Sequence, residues 1–312
     1  MAQLSSPSAM PATSPGDIAR QVADFLDGFS LEAIRPNAAD IEALKRAAPA
    51  GTSIYLSAVS TRPPEETAKY ATALRTAGFE PVPHLAARHF ASREAFGDLL
   101  ARLRNEAAIH RVLVVAGDRD DPAGPLGSAL DAVESGLLQR HGIDEIGIAG
   151  YPDGHPRISS DLLERALAAK IEAAEQSGLK VHIVTQFAFD ADVIIAWVRR
   201  LRDLGIEQPV RIGMAGPTSL TALLRYAGRC GVRASAAGMS RQVGLMKNLF
   251  GIAAPDGIVR AVAQASALGE LGEVAAHFYS FGGLGGSARW VAEARAGNIS
   301  LDGAGGFSVE AP

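Results

Sequence analysis

The chain lacks most of what would take it out of an ordinary reducing compartment. It has one cysteine, Cys230, in 312 residues, so no disulfide can form within it. Cys230 sits in the helical context RYAGRCGV and reads as an inert thiol rather than a nucleophile. Long apolar runs are also missing: none reaches the ~20 residues that a membrane span needs. The first sixteen residues are rich in Ser, Pro and Ala but have no basic start followed by an apolar block, so they read as a disordered tail and not a secretory signal. Neither sign of charge dominates. With 30 basic and 34 acidic residues, net −4, and no basic run, nucleic acid and anionic membrane are not expected as partners. A cytoplasmic enzyme acting on small molecules is the expectation.

Several chemical signatures are absent as well. There is no G-x-G-x-x-G after the first strand, no G-x-S-x-G elbow, and no helical H-x-x-x-H pair or cysteine set. Dinucleotide binding of the doubly wound kind, Ser-His-Asp hydrolysis and a catalytic zinc therefore have no motif to rest on.

What is present is a rhythm. Eight short apolar or β-branched runs alternate with longer stretches of helical period: 28–33, 53–59, 80–85, 111–116, 145–150, 180–187, 209–214 and 273–281. PEETAKYATALRTA opens on a proline and acids and stops at Gly78; DLLERALAAKIEAAEQ stops near Gly178. Eight βα units predict an α/β fold, a single (β/α)8 TIM barrel over 17–302, with flexible tails at 1–16 and 303–312. An open doubly wound sheet is the alternative. The long gap 215–272 is expected to hold more than one helix and to cover part of the barrel mouth.

In such a barrel the active site lies at the C-terminal ends of the strands. Six of these ends carry polar groups: Glu32; His84; Gly117-Asp118; Tyr151 to His155; Gln186; and His277 with Tyr279, followed by GGLGG. Ionised groups in a dry interior cost several kcal/mol unless paired, so an open polar mouth explains them best. Each has a plainer reading: a paired structural carboxylate for Glu32, an N-cap or turn for Asp118, a satisfied core imidazole for His84, loop punctuation for Tyr151 and His155, and a backbone-bonded amide for Gln186.

In order along the chain, SLEAIRP, PHLAAR, VLVVAGD, IAGYPDGHP, VTQFAFD and HFYSF resemble the methylenetetrahydrofolate reductase family. The resemblance implies reduction of 5,10-methylenetetrahydrofolate to 5-methyltetrahydrofolate, with FAD at the barrel mouth and NAD(P)H as hydride donor. It serves methionine supply or, in reverse, the oxidation of methyl groups. By the same resemblance Glu32 protonates N10 of the folate, with a pKa raised toward neutrality by burial, and Asp118 stabilises the cationic iminium beside the flavin. His84, Gly117, Tyr151, His155 and Lys170 match flavin-binding positions, Lys170 meeting the diphosphate. Gln186 and Tyr279 fall to the folate. Relatives associate, so a homo-oligomer is compatible. Ala116 where the family has arginine, AlaLeuAlaAla before Lys170, and GGLGG after HFYSF depart from the pattern. They leave open direct hydride transfer without flavin. A barrel that binds folate without redox chemistry, such as a methyltransferase to a corrinoid partner, is the alternative of another class, and a non-catalytic assembly barrel a third.

Overall fold

Alternation along each strand explains the architecture. In the computed structural model, which describes residues 14–59, 63–230 and 252–309, eight parallel strands close into a barrel. They are β1 (Ser30–Ala33), β2 (Ser53–Leu56), β3 (Glu80–Ala86), β4 (Arg111–Val115), β5 (Glu145–Gly150), β6 (Lys180–Thr185), β7 (Val210–Ala215) and β8 (Val274–Tyr279). β8 pairs with β1, Ser30 opposite His277 and Glu32 opposite Tyr279, which closes the ring. Open-sheet topology is thereby ruled out.

Successive side chains of a strand point to opposite faces. One set, including Leu31, Ile54, Val112, Ile146, Ile183, Ile212 and Phe278, packs beneath the helices in the main core. The other set turns inward, where Tyr55, Val82, Leu113 and Val184 form a separate apolar plug. Ser30, Glu32, His84, Arg111, Glu145, His182, Arg211 and His277 share that inward parity. The interior is thus an apolar band with polar residues above and below it.

The helices obey local rules. In α1 (Pro15–Leu26) the Ser14 side chain accepts from the Asp17 amide, a proline stands in the first turn, and Val22, Phe25 and Leu26 are buried. α2 (Ala38–Ala47) opens on a capping box formed by Asn37 and Asp40. Then come α3 (Glu66–Thr76), α4 (Arg93–Ala107), α5 (Ala129–Glu134), α6 (Leu137–Arg140), α7 (Ser160–Gln176), α8 (Ala191–Asp203), α9 (Leu220–Cys230), α10 (Asp256–Ala267) and α11 (Leu284–Arg295). Gly78 and Gly178, with φ of 90° and 72°, sit just past α3 and α7, where a left-handed residue ends the helix.

Two expectations about the tails and the long gap meet the structure. The helix starting at Pro15 reaches two residues into the stretch assigned to the N-terminal tail; residues 1–13 lie outside the described residues. Residues 303–312 were expected to fray, yet Phe307–Val309 pairs antiparallel with Ile299–Leu301. Phe307 is buried, stacks on Trp290 at 5.6 Å and donates its amide to the Asp256 carboxylate at 3.2 Å. The glycines form the turn of this hairpin. In the gap between β7 and β8, α9 and α10 are present, and Thr218–Ser219 pairs with Ile252–Ala253; residues 231–251 lie outside the described residues.

Candidate active site

Closure of β1 between β2 and β8 brings residues far apart in sequence onto one carboxylate. Glu32, at the top of β1, accepts from the Ser57 hydroxyl at 2.5 Å through Oε1. Its Oε2 faces His277 Nε2 at 3.4 Å and His84 Nε2 at 3.6 Å. The second of these is too long for a hydrogen bond, and His84 Nε2 is buried with no hydrogen-bond partner among the described residues. Ser57, just past β2, and His84 both line a cavity of about 40 Å³ that also takes in Arg35, Tyr70 and His89.

The electrostatics correct one expectation. Burial pushes the Glu32 carboxyl up, as an apolar pocket should. His84, His277 and the hydrogen bonds from His277 and Ser57 outweigh it and hold Glu32 below the ordinary carboxylate value. Burial lowers both imidazoles, against the pull of Glu32, which raises them. The raised pKa expected from burial alone is therefore countered by these neighbours.

Asp118 stands after Gly117, whose φ of 95° turns the chain; a Cβ there would meet Ala86 Cβ at 3.0 Å and His89 Nε2 at 3.1 Å. Asp118 is largely exposed and its Oδ1 lies 2.9 Å from His89 Nε2, so it connects through His89 to the cavity that His84 lines. The loop after β5 brings Tyr151 and His155 edge to face at 5.4 Å, and burial raises the Tyr151 phenol. An Arg157–Asp120 ion pair ties this loop to the one after β4. Lys170 lies along α7; burial lowers its ammonium to about 8, and among the described residues it has no anionic partner.

Gln186 stands just past β6, and Tyr279 ends β8 beside Glu32, its partner in the β1–β8 register. The Gln186 side chain accepts from the Phe187 amide at 3.1 Å, and the Tyr279 hydroxyl donates to the Thr185 carbonyl at 3.0 Å. Gly213 makes this possible, because a Cβ there would stand 2.8 Å from the Tyr279 ring. Phe187, Phe281 and Tyr226 complete an aromatic wall, Tyr226 stacked on Phe281 at 4.2 Å. Sequence reasoning missed Ser57, the pairing of His277 with Glu32, and Tyr226. The parity of Ser57 with Tyr55 and of His277 with Tyr279 was the available signal.

A family model described as methylenetetrahydrofolate reductase matches residues 33–279. The chain belongs to the methylenetetrahydrofolate reductase family. Among curated relatives, methylenetetrahydrofolate reductase 1 of Schizosaccharomyces pombe is 29% identical over 142 residues, covering 44% of this chain and 23% of that protein. The 5,10-methylenetetrahydrofolate reductase of Pectobacterium carotovorum is 30% identical over 160 residues, half of each chain. The chain thus aligns with half or less of the length of the curated relatives it matches. Membership agrees with a barrel whose strand ends carry the family-like motifs.

Proposed function

We propose that the chain reduces 5,10-methylenetetrahydrofolate to 5-methyltetrahydrofolate with NAD(P)H as hydride source and FAD as resident cofactor. The observation that carries the reading is the Glu32 cluster, a carboxylate held among two imidazoles and a hydroxyl at the strand ends. The bridging carbon of the substrate takes hydride only after the five-membered ring opens to a cationic iminium, which needs a proton at N10. Glu32 supplies it. With its neighbours favouring the carboxylate, Glu32 takes up the proton as substrate binds. Covering the cluster strengthens the burial that pushes Glu32 up, and so assists loading.

The residues fit a flavin dinucleotide. Lys170, half-buried and without an anionic partner among the described residues, suits a diphosphate, and His84 Nε2 on the cavity wall, which lacks a hydrogen-bond partner among them, would be satisfied by a polar ligand atom. Tyr151, His155 and the Gly117-Asp118 turn complete the holding set. Bound there, FAD carries two electrons as hydride between nicotinamide and folate. Asp118 places negative charge near the cation as it forms. Gln186 and Tyr279 orient the folate.

The test is Glu32→Gln. Folate-dependent turnover should fall by about 10²–10⁴-fold, the range for a lost general acid, while NADH oxidation by a quinone persists. Loss of both activities together would refute the role given to Glu32. A purified protein that is yellow, bleaches with NADH and recovers its colour with the folate would support FAD. A colourless protein that oxidises NADH only when folate is present would replace it with direct hydride transfer.

A further inference from the structure

The contacts behind Glu32 run on through the barrel wall. His277 Nε2 faces Glu32 at 3.4 Å; on the other side of the ring, Nδ1 lies 2.9 Å from the Ser30 hydroxyl. Ser30 is fully buried at the start of β1, opposite His277 in the β1–β8 register. Its oxygen accepts from the Arg211 guanidinium at 3.4 Å, and the same nitrogen of Arg211 also donates to the Gly28 carbonyl at 3.3 Å. Two acceptors compete for the one proton of the Ser30 hydroxyl: His277 Nδ1 at 2.9 Å and the Ala276 carbonyl at 3.4 Å.

We propose that Ser30 and Arg211 lock His277 in the tautomer with its proton on Nε2, so that a donor and not a lone pair faces Glu32. Three observations converge on it. The shorter contact directs the serine proton to Nδ1. The guanidinium, a donor only, occupies the serine oxygen and sets positive charge on the Nδ1 side of the ring, which opposes a proton there. A carboxylate oxygen accepts and cannot donate, so an ionised Glu32 requires hydrogen on Nε2. Ser30 and Arg211, at the N-terminal end of the barrel, are in this way positioning residues for the carboxylate at the mouth. The other groups facing the cluster are His84 from β3, Tyr55 and Ser57 from β2, and Tyr279 from β8.

The proposal rests on Glu32 as proton donor, but its first test needs no turnover. Long-range proton–nitrogen spectra of the full chain labelled with ¹⁵N-histidine, with His277 assigned by its loss in His277→Gln, should show protonated Nε2 and an accepting Nδ1. A wild-type ring protonated at Nδ1, with Ser30 then donating to Ala276, would overturn the lock. Ser30→Ala should populate both tautomers, and Ser30→Thr, which keeps the hydroxyl, should restore one. In Ser30→Ala a lone pair faces Glu32 part of the time, so the carboxylate loses its donor. The limb on which folate turnover falls with rising pH should then move up by ~1 pH unit, a tenfold change in ionisation, and return in Ser30→Thr. Arg211→Gln, should Ser30→Ala not fold, is expected to shift the tautomer in the same direction. An unchanged ring and an unchanged pH profile in both variants would refute the idea. If Glu32→Gln kept full folate turnover, the assignment of the acid would fall, while the tautomer measurement would still decide the lock.

Discussion

The polar ring below the apolar plug should contribute stability that disappears in acid. Glu145, first residue of β5, lies 2.8 Å from an Arg111 guanidinium nitrogen on β4 and 2.8 Å from His182 Nδ1 on β6. The other nitrogen of His182 is 2.7 Å from the Tyr55 hydroxyl, whose pKa burial pushes up to about 12. Burial also pushes the Glu145 carboxyl up, but His182 and Arg111 outweigh it and hold it at about 2 against an ordinary 4.5. A depressed carboxyl contributes stability that is fully present above its unfolded pKa. That stability is lost as pH falls through the folded value, here between 4.5 and about 2. At about 1.4 kcal/mol per pH unit the drop is worth ~3 kcal/mol; water reaching the pair reduces the expected yield to ~1.5–2 kcal/mol. Urea unfolding of the wild type and Glu145→Gln at steps from pH 7 to pH 2 measures it. The gap between the two should be ~1.5–2 kcal/mol at pH 7, narrow below pH 4.5, and close near pH 2. A gap that stays constant into acid, or none at pH 7, would refute the pairing as a source of stability.

Two further outcomes follow from packing. Gly213→Ala places a Cβ 2.2 Å from the Thr185 carbonyl oxygen and 2.8 Å from the Tyr279 ring; because backbone has to give way, the variant should lose ~1–3 kcal/mol in urea unfolding. It should also raise KM for the folate more than it lowers kcat, by displacing Tyr279, and a neutral variant would count against the close approach of β7 to that ring. Phe307→Ala, which empties the seat against Trp290, should cost ~3 kcal/mol by thermal or urea unfolding. A silent Phe307→Ala would mean that the C-terminal strand is only loosely attached.

Legibility followed the range of the forces involved. The barrel strands stood out because each buries one face beneath helices, so apolar or β-branched residues such as those of RVLVV recur in short runs that end at turn residues. The run 53–59 overshoots β2, which ends at Leu56; the Ser57 amide still donates to the Ala33 carbonyl at 3.0 Å, and its hydroxyl bonds Glu32, a side-chain contact with no local signature. At the C-terminus, Gly303, Gly305 and Gly306 suggested fraying. The segment is held instead by residues distant in sequence, Trp290 and Asp256, and glycine at 305 adopts the φ of 93° that its turn requires.

The site shows the same divide more sharply. That Glu32 would be polar, central and at a strand end could be read from one run of residues. Its environment could not, because Ser57 is 25 residues away and His277 is 245. Burial is a property that hydrophobic neighbours in sequence can suggest, and burial alone argues for a raised carboxyl. His277 arrives only when β8 closes against β1, and together with His84 from β3 and Ser57 from beyond β2 it reverses the sign. Ser30 carries the point further: as a small residue beginning a strand it looks structural. Only the closed register sets it between Arg211 and His277, where one hydroxyl proton decides which nitrogen faces the carboxylate. A charge state that depends on barrel closure is legible only in the closed barrel.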